Sequence, residues 1–242
     1  MSRLYVVGIG AGSYDMLTVG AIKALGEAEL ICGYTGYVRL IRPYFPDKEY
    51  YETSMMQEIE RCRFAVRSAR DGRVTALICS GDAGVYGMAS PVYETAGEDP
   101  PEIVAIPGVT AACSGAVLLG APLTQDFAVI SLRALLTPWE GNEARLRAAA
   151  SADFCIAIYN PRSKKRSDDL SRAVKIIREY RPPDTVCDVV RNIGREEEKS
   201  ALFPLCALTD EEADMFTTVF IENSRTKIIK GRMVTPRGYR DV

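Results

Sequence analysis

The 242-residue chain contains no histidine. Imidazole is the group that most readily serves as general base, partner of a nucleophile or metal ligand near neutral pH. Its absence excludes Ser-His and Cys-His hydrolases and His-ligated metal centres. Chemistry must then come from carboxylates, Tyr, Lys, backbone groups or a bound cofactor. An excess of one charge is missing too: 30 Lys and Arg stand against 32 Asp and Glu, a formal net charge of -2. A nucleic-acid-binding domain carries a marked basic surplus, so no nucleic-acid partner is expected. No apolar run is long enough to cross a bilayer. The chain opens with a strand-like run, Leu4 to Gly8, rather than a basic segment followed by an apolar one. A cytoplasmic protein with no membrane partner is therefore expected. Seven cysteines are scattered with no CxxC pair. Neither a zinc site nor a redox dithiol is indicated, no metal is expected, and all seven read as small buried hydrophobes.

What is present is an alternation of strands and helices. Leu4 to Gly8 reads as a strand. Leu17 to Ala28 has helical spacing, with Leu17, Ala21, Ala24, Leu25 and Ala28 on one side. Glu29 to Gly33 and Glu49 to Thr53 read as strands, and Met55 to Arg70 as a surface helix of mixed charge with one buried side. Val74 to Cys79 is a continuous apolar run, expected of a strand covered on both faces. Gly87 to Ala96 reads as a helix, Glu102 to Ile106 as a strand and Thr110 to Leu119 as a helix of small residues. This repetition predicts an α/β first domain with a mostly parallel sheet. In the second half the strands are Phe127 to Leu132, Asp153 to Tyr159, Val186 to Val190, Ser200 to Leu205 and Thr217 to Ile221. Helices are expected at Asn142 to Ala150 and Asp168 to Tyr180. Consecutive strands with short polar connections predict a mixed sheet. Two α/β domains follow, 1–118 and 119–242, with Leu119 to Leu123 as the link.

Three glycine-bearing loops follow three strands of the first sheet. Gly8-Ile-Gly10-Ala11-Gly12 lets a ligand approach the backbone closely, although Ser13 stands where a dinucleotide fingerprint needs glycine. Ser80-Gly81-Asp82-Ala-Gly-Val85-Tyr86-Gly87 follows the apolar strand, and Pro107-Gly-Val-Thr110-Ala111-Ala112 follows the next. Each admits a plain reading: a tight turn, a turn aspartate, a threonine capping a helix. Their convergence on the carboxyl ends of neighbouring strands is where open α/β sheets bind ligands. A fourth segment, Ile158-Tyr159-Asn160-Pro-Arg162-Ser-Lys164-Lys-Arg166, places a polar turn and four cations after a strand. It reads as a solvated loop or as a clamp for a polyanion, since Arg and Lys suit carboxylates.

Together these segments resemble the tetrapyrrole methylase family. The order carries the resemblance: Val7 to Gly12 with Leu17-Thr18, then Ser80-Gly-Asp82, then Pro107 to Ala112. Further segments narrow it to one branch: Gly84 to Ala89, Leu118 to Leu123, Asp126 to Ser131, Leu136 to Trp139, Tyr159 to Ser163, Arg191-Asn192, Asn223 to Thr226 and Met233 to Tyr239. The resemblance implies two α/β domains with S-adenosyl-L-methionine folded in the cleft between them, S-adenosyl-L-homocysteine as product, and a homodimer. It also implies methylation of a tetrapyrrole at C17 with ring contraction, on the way to cobalamin. Cofactor contacts carried over are Gly10, Ala11, Ser80, Gly81, Asp82, Val85, Tyr86, Thr110, Ala111, Asn160, Arg191 and Asn192. Arg133, Arg162, Lys164 and Arg166 are expected to hold substrate carboxylates. Asp126 and Tyr159, with Asp82 as a further option, are candidates for the proton transfers of ring contraction. The chain departs from the family pattern at Ser13, at Ala83 in place of proline, at Thr124-Gln125 in place of Gly-His, at Arg133-Ala134 in place of Ser-Asp, and at Glu222 in place of glycine. An activated sulfonium methyl needs alignment more than a base, so the missing imidazole is compatible with the transfer itself.

Overall fold

A computed structural model describes residues 3–133, 138–162, 168–210 and 213–239. The chain divides into two compact units, Met1–Ala111 and Ala112–Val242. In the first unit the elements run β1 (Arg3–Gly8), α1 (Val19–Glu27), β2 (Leu30–Tyr34), α2 (Thr35–Ile41), β3 (Glu49–Thr53), α3 (Glu58–Arg70), β4 (Thr75–Cys79), α4 (Ala89–Thr95) and β5 (Glu102–Ile106). The five strands form one parallel sheet in the order β3-β2-β4-β1-β5.

The reason is visible in alternate residues, which point to opposite faces of a strand. Leu4 and Val6 of β1, with Leu77 and Cys79 of β4, pack against Cys62, Ala65, Val66 and Ala69 of α3 and Val92 of α4. Tyr5 and Val7, with Ala76 and Ile78, pack against Ala21, Ala24 and Leu25 of α1 and Val38 and Ile41 of α2. Both faces are covered, so the central strands are apolar throughout. Helix α2 is absent from the sequence reading. It is only seven residues long and buries two apolar side chains, too little periodicity to stand out.

The second unit holds a five-stranded mixed sheet built from β7 (Phe127–Ser131), β8 (Cys155–Tyr159), β9 (Val186–Arg191), β10 (Lys199–Pro204) and β11 (Thr217–Ile221). Its order is β10-β9-β11-β8-β7. Only β7 and β8 are parallel; the other neighbours are antiparallel. Helices α6 (Trp139–Ser151) and α7 (Asp169–Ile177) contribute Leu146, Leu170, Ala173 and Ile177 to its core. The Arg172 guanidinium lies 3.8 Å over the Trp139 ring.

The sequence reading divided the chain after Leu118, whereas the compact units divide after Ala111. Helix α5 (Ala111–Leu119) belongs almost wholly with the second unit because Gly115 lies against Phe220 of β11 and Ile193. The stretch read as a link also does more than connect. Gly120 and Ala121 form β6, which pairs in parallel with Met233 and Val234 of β13 (Arg232–Val234), and β13 pairs with β12 (Lys227–Ile229). Gly120 has φ +134°, and a methyl there would meet the Met233 carbonyl at 2.6 Å, so only glycine lets this strand start. Five cysteines are buried as expected, but Cys113 and Cys206 are exposed. Cys113 lies on the outward side of α5, and Cys206 in a short turn after β10. Among the described residues no helix is long and apolar enough to cross a membrane.

A methyl at Gly115 would sit 2.9 Å from the Phe220 ring and 3.0 Å from Ile193. Overpacking of this kind costs about 1–3 kcal/mol. Gly115→Val is therefore expected to lower the urea-unfolding free energy by that amount, and an unchanged midpoint would show that α5 does not pack here.

Candidate functional site

In the first unit the loops after β1, β4 and β5 are joined by backbone contacts. Gly10 and Gly81 exchange both hydrogen bonds, at 3.0 and 2.7 Å. Both lie in the left-handed region, with φ +69° and +70°. A methyl on Gly108 would collide with the carbonyl oxygens of Gly81 and Gly8, the second at 2.6 Å. The three loops can approach this closely only because no side chain intervenes. Thr18 adds a further tie: its hydroxyl accepts from Ala21 N, capping α1, and donates to the Pro107 carbonyl, each at 3.1 Å.

Asp82 is the centre of this assembly. One carboxylate oxygen accepts from the amides of Gly84 and Val85 at 2.8 and 3.1 Å, and the other from Gly108 at 3.0 Å. The carboxylate thus builds its own loop and ties it to the loop after β5. Both oxygens are occupied by main chain, so the role of proton carrier considered for Asp82 does not fit; it is a positioning residue. Beyond it, Val85 and Tyr86 are exposed at 37% and 60%. Tyr86 has φ +53°, an uncommon conformation for a bulky residue. Ala11 and Gly81 are buried, and Ser80, Thr110 and Ala111 are half-buried. The nine residues expected around the cofactor in this unit therefore gather at the carboxyl ends of β1, β4 and β5. They present glycine backbone, small side chains and one apolar surface, a donor set suited to a nucleoside and its amino-acid tail.

In the second unit, Tyr159, Asn160, Arg191 and Asn192 share one end of the sheet, where β8 and β9 finish. Asn160 and Asn192 follow those strands with φ +50° and +53°, a conformation that Asn tolerates better than most residues. The Asn160 amide donates to Ser131 Oγ at 2.9 Å. The Tyr159 hydroxyl accepts from Ala112 N in the first turn of α5. Arg191 forms an ion pair with Asp214 at 2.7 Å. Arg133 is exposed just past β7, and Arg162 donates to the Asp210 carbonyl at 3.0 Å. Lys164 and Arg166 lie outside the described residues.

Asp126 is placed elsewhere. It precedes β7, and the register pairs Phe127 with Cys155 and Ser131 with Tyr159. At about 3.3 Å per residue, Asp126 and Tyr159 stand roughly 16 Å apart, at opposite ends of the strand pair. Thr18, Gly108 and Ser131 stand within the sequence motifs, but the sequence assigns none of them a role of its own. The Pro107-Gly108 pair was a turn signal, but nothing in one sequence marks Ser131 as the partner of Asn160.

The pattern of the tetrapyrrole (corrin/porphyrin) methylases matches residues 3–208. The chain is 44% identical over 238 residues to the probable cobalt-factor III C(17)-methyltransferase of Salmonella typhimurium, covering 98% of this chain and 99% of that one. It is 36% identical over 246 residues to the precorrin-3B C(17)-methyltransferase of a Sinorhizobium species, covering 98% and 96%. Two other relatives are longer, and the chain spans 45% and 53% of their length. The crystal structure of the methyltransferase CobJ superposes with a TM-score of 0.91 at 36% identity, covering 98% of this chain and 100% of that chain. The strand-end glycine loops, the mixed second sheet and this likeness along the whole chain have one reading: the protein belongs to the tetrapyrrole methylase family.

Proposed function

We propose that this protein is an S-adenosylmethionine-dependent C-methyltransferase of cobalamin biosynthesis. It methylates C17 of precorrin-3B or its cobalt-bearing counterpart, with contraction of the macrocycle, giving precorrin-4 or cobalt-precorrin-4. The observation that carries this reading is the 44% identity to a C17-methyltransferase over nearly the full length of both chains. The higher identity to the cobalt-factor III enzyme than to the precorrin-3B enzyme favours the cobalt-bearing substrate. A homodimer accompanies the same reading.

The cofactor supplies a methyl group already activated by its sulfonium charge. The protein's task is to align that methyl with the acceptor carbon. Gly10, Ala11, Ser80, Gly81, Val85, Tyr86, Thr110 and Ala111 hold the cofactor, largely through backbone groups, and Asp82 sets the shape of their loops. Tyr159, at the same sheet end as Asn160, is the better of the two candidates for proton transfer, because Asp126 lies at the far end. Arg133, Arg162, Lys164 and Arg166 meet the acetate and propionate groups of the substrate.

Anaerobic incubation with S-adenosylmethionine and each substrate, followed by mass and NMR analysis, tests the assignment. A new methyl at C17 on a contracted ring is expected. A methyl at another carbon would move the protein to a sister activity, and cofactor binding without turnover would mark it as a non-catalytic relative. Asp82→Ala removes the acceptor of three backbone amides, each bond to a charged group worth about 1.5–3 kcal/mol. Titration calorimetry with S-adenosylhomocysteine should show at least about tenfold weaker binding; an unchanged affinity would remove Asp82 from the loop-building role. The double change Arg162→Gln, Lys164→Gln should raise KM for the tetrapyrrole by about tenfold or more and leave that for the cofactor unchanged. Equal KM values in the variant and the parent would dismiss the clamp.

A further inference from the structure

At the end of the second sheet away from Tyr159 lies a buried polar chain that the methyl transfer does not use. Glu222, immediately after β11, is 1% exposed. Among the described residues no N–H or O–H donor reaches its Oε1. Its Oε2 lies 3.3 Å from Thr226 Oγ1, and the Cys155 thiol is the other side chain that bonds the carboxyl. Thr226 Oγ1 lies 2.8 Å from Thr235 Oγ1, which lies 2.5 Å from the Pro122 carbonyl.

Each hydroxyl has one proton to donate. The Pro122 carbonyl can only accept, so Thr235 donates to it. The 2.8 Å contact between the two threonines then needs the Thr226 proton. Thr226 has nothing left to give Glu222 and offers it a lone pair. The other acceptor near Thr226, Asn223 Oδ1 at 3.2 Å, draws on that same proton and does not relieve the shortage. An ionised Glu222 would bury one oxygen with no N–H or O–H donor, the weak Cys155 thiol aside, and set the other against a lone pair. A buried charge in that condition is strongly disfavoured.

The surroundings do not supply a compensating charge in contact. The Cys155 thiol of β8 is shared among Glu222, Thr235 Oγ1 at 3.9 Å and the Pro122 carbonyl at 3.4 Å, and its single weakly donated proton neutralises no charge. Arg181 attracts a negative Glu222 at a distance: its terminal nitrogens bond Asp153 and the Phe154 carbonyl, its Nε has no partner among the described residues, and no ion pair among them joins it to Glu222. Asp188 of β9 repels it, and the buried Cys187 thiol faces it as well. Burial pushes the Glu222 carboxyl up to about 7.

We infer that Glu222 is a neutral carboxylic acid in the folded protein, the first donor of a one-way relay through Thr226 and Thr235 to the Pro122 carbonyl, and that this proton latches the C-terminal segment carrying Thr235. When the proton leaves to solvent, the electron pair stays on the carboxylate, the relay loses its starting donor, and the hold on β13 and Thr235 weakens.

The sign of the pH response follows. A carboxyl that binds its proton more tightly when folded stabilises the protein below the ordinary carboxylate range. That contribution is lost as pH rises toward the raised value. A proton held tenfold more tightly by the folded chain favours folding tenfold, and the carboxyl rises from 4.5 to about 7. Between pH 5 and pH 8, the wild type should lose folding equilibrium constant on the order of 100-fold relative to Glu222→Gln, whose amide donates at every pH. Urea titrations at the two pH values read this directly, and parallel losses in the two proteins would overturn the inference. Cys155→Ala should keep the wild-type response; if it abolishes the response, the thiol is the donor and the relay assignment fails. A second measurement needs no variant. Hydrogen–deuterium exchange of wild-type peptides spanning 230–236, corrected for intrinsic rate, should show lower protection at pH 8 than at pH 5. Constant protection would also sink the latch.

Discussion

The first unit depends on one carboxylate. Three loops leave the carboxyl ends of β1, β4 and β5, and each carries main-chain amides that would otherwise face one another or solvent. Asp82 gathers the amides of Gly84, Val85 and Gly108, and the Gly10–Gly81 exchange closes the remaining side. Hydrogen bonds to an ionised acceptor are about twice as strong as neutral ones. The arrangement therefore fixes the shape of a surface made almost wholly of backbone. A surface of backbone groups selects by geometry rather than by reactive side chains, and methyl transfer from an activated sulfonium needs alignment more than an imidazole.

The second unit solves a different problem. Its sheet is mixed, so useful residues collect at one end only where strands run the same way. β8 and β9 run in the same direction, with the antiparallel β11 between them, and each ends in an asparagine held at positive φ. The opposite end is given over to stability. There Gln125 and Asn223 are hydrogen-bonded to each other, and Gln125 donates to the Pro236 carbonyl. The two asparagines at positive φ and the Gln125–Asn223 pair thus occupy opposite ends of one sheet, separated by the length of the strands.

Much of this was legible in the residues, for identifiable reasons. The apolar run Val74 to Cys79 reads as a doubly covered strand, and it is the convergence of three glycine loops after strands, not any one loop, that points to a ligand. Those signals are local. The contributions that escaped reading are long-range. Gly115 looks like a weak point in a helix until Phe220, far along the chain, is seen to need its space. Asp126 and Tyr159 were both candidates for proton transfer, and strand direction places them at opposite ends of the β7–β8 pair. The turn role of Asp82 was one of two readings, and only the amide of Gly108, 26 residues away, decides that the carboxylate is structural. Glu222 was visible as a departure from the family, yet its meaning rests on threonine hydroxyls that only the fold brings into line.

The lone tryptophan has a practical consequence. Trp139 sits at the start of α6 with Arg172 across its ring, and there is no other indole in the chain. Intrinsic fluorescence excited at the indole therefore reports on the second unit and is silent about the first. Far-ultraviolet circular dichroism sees the helices of both. Agreement of the two signals across a denaturation curve would show that the units melt as one. A dichroism change that precedes the fluorescence change would show the first unit coming apart while the second sheet still stands.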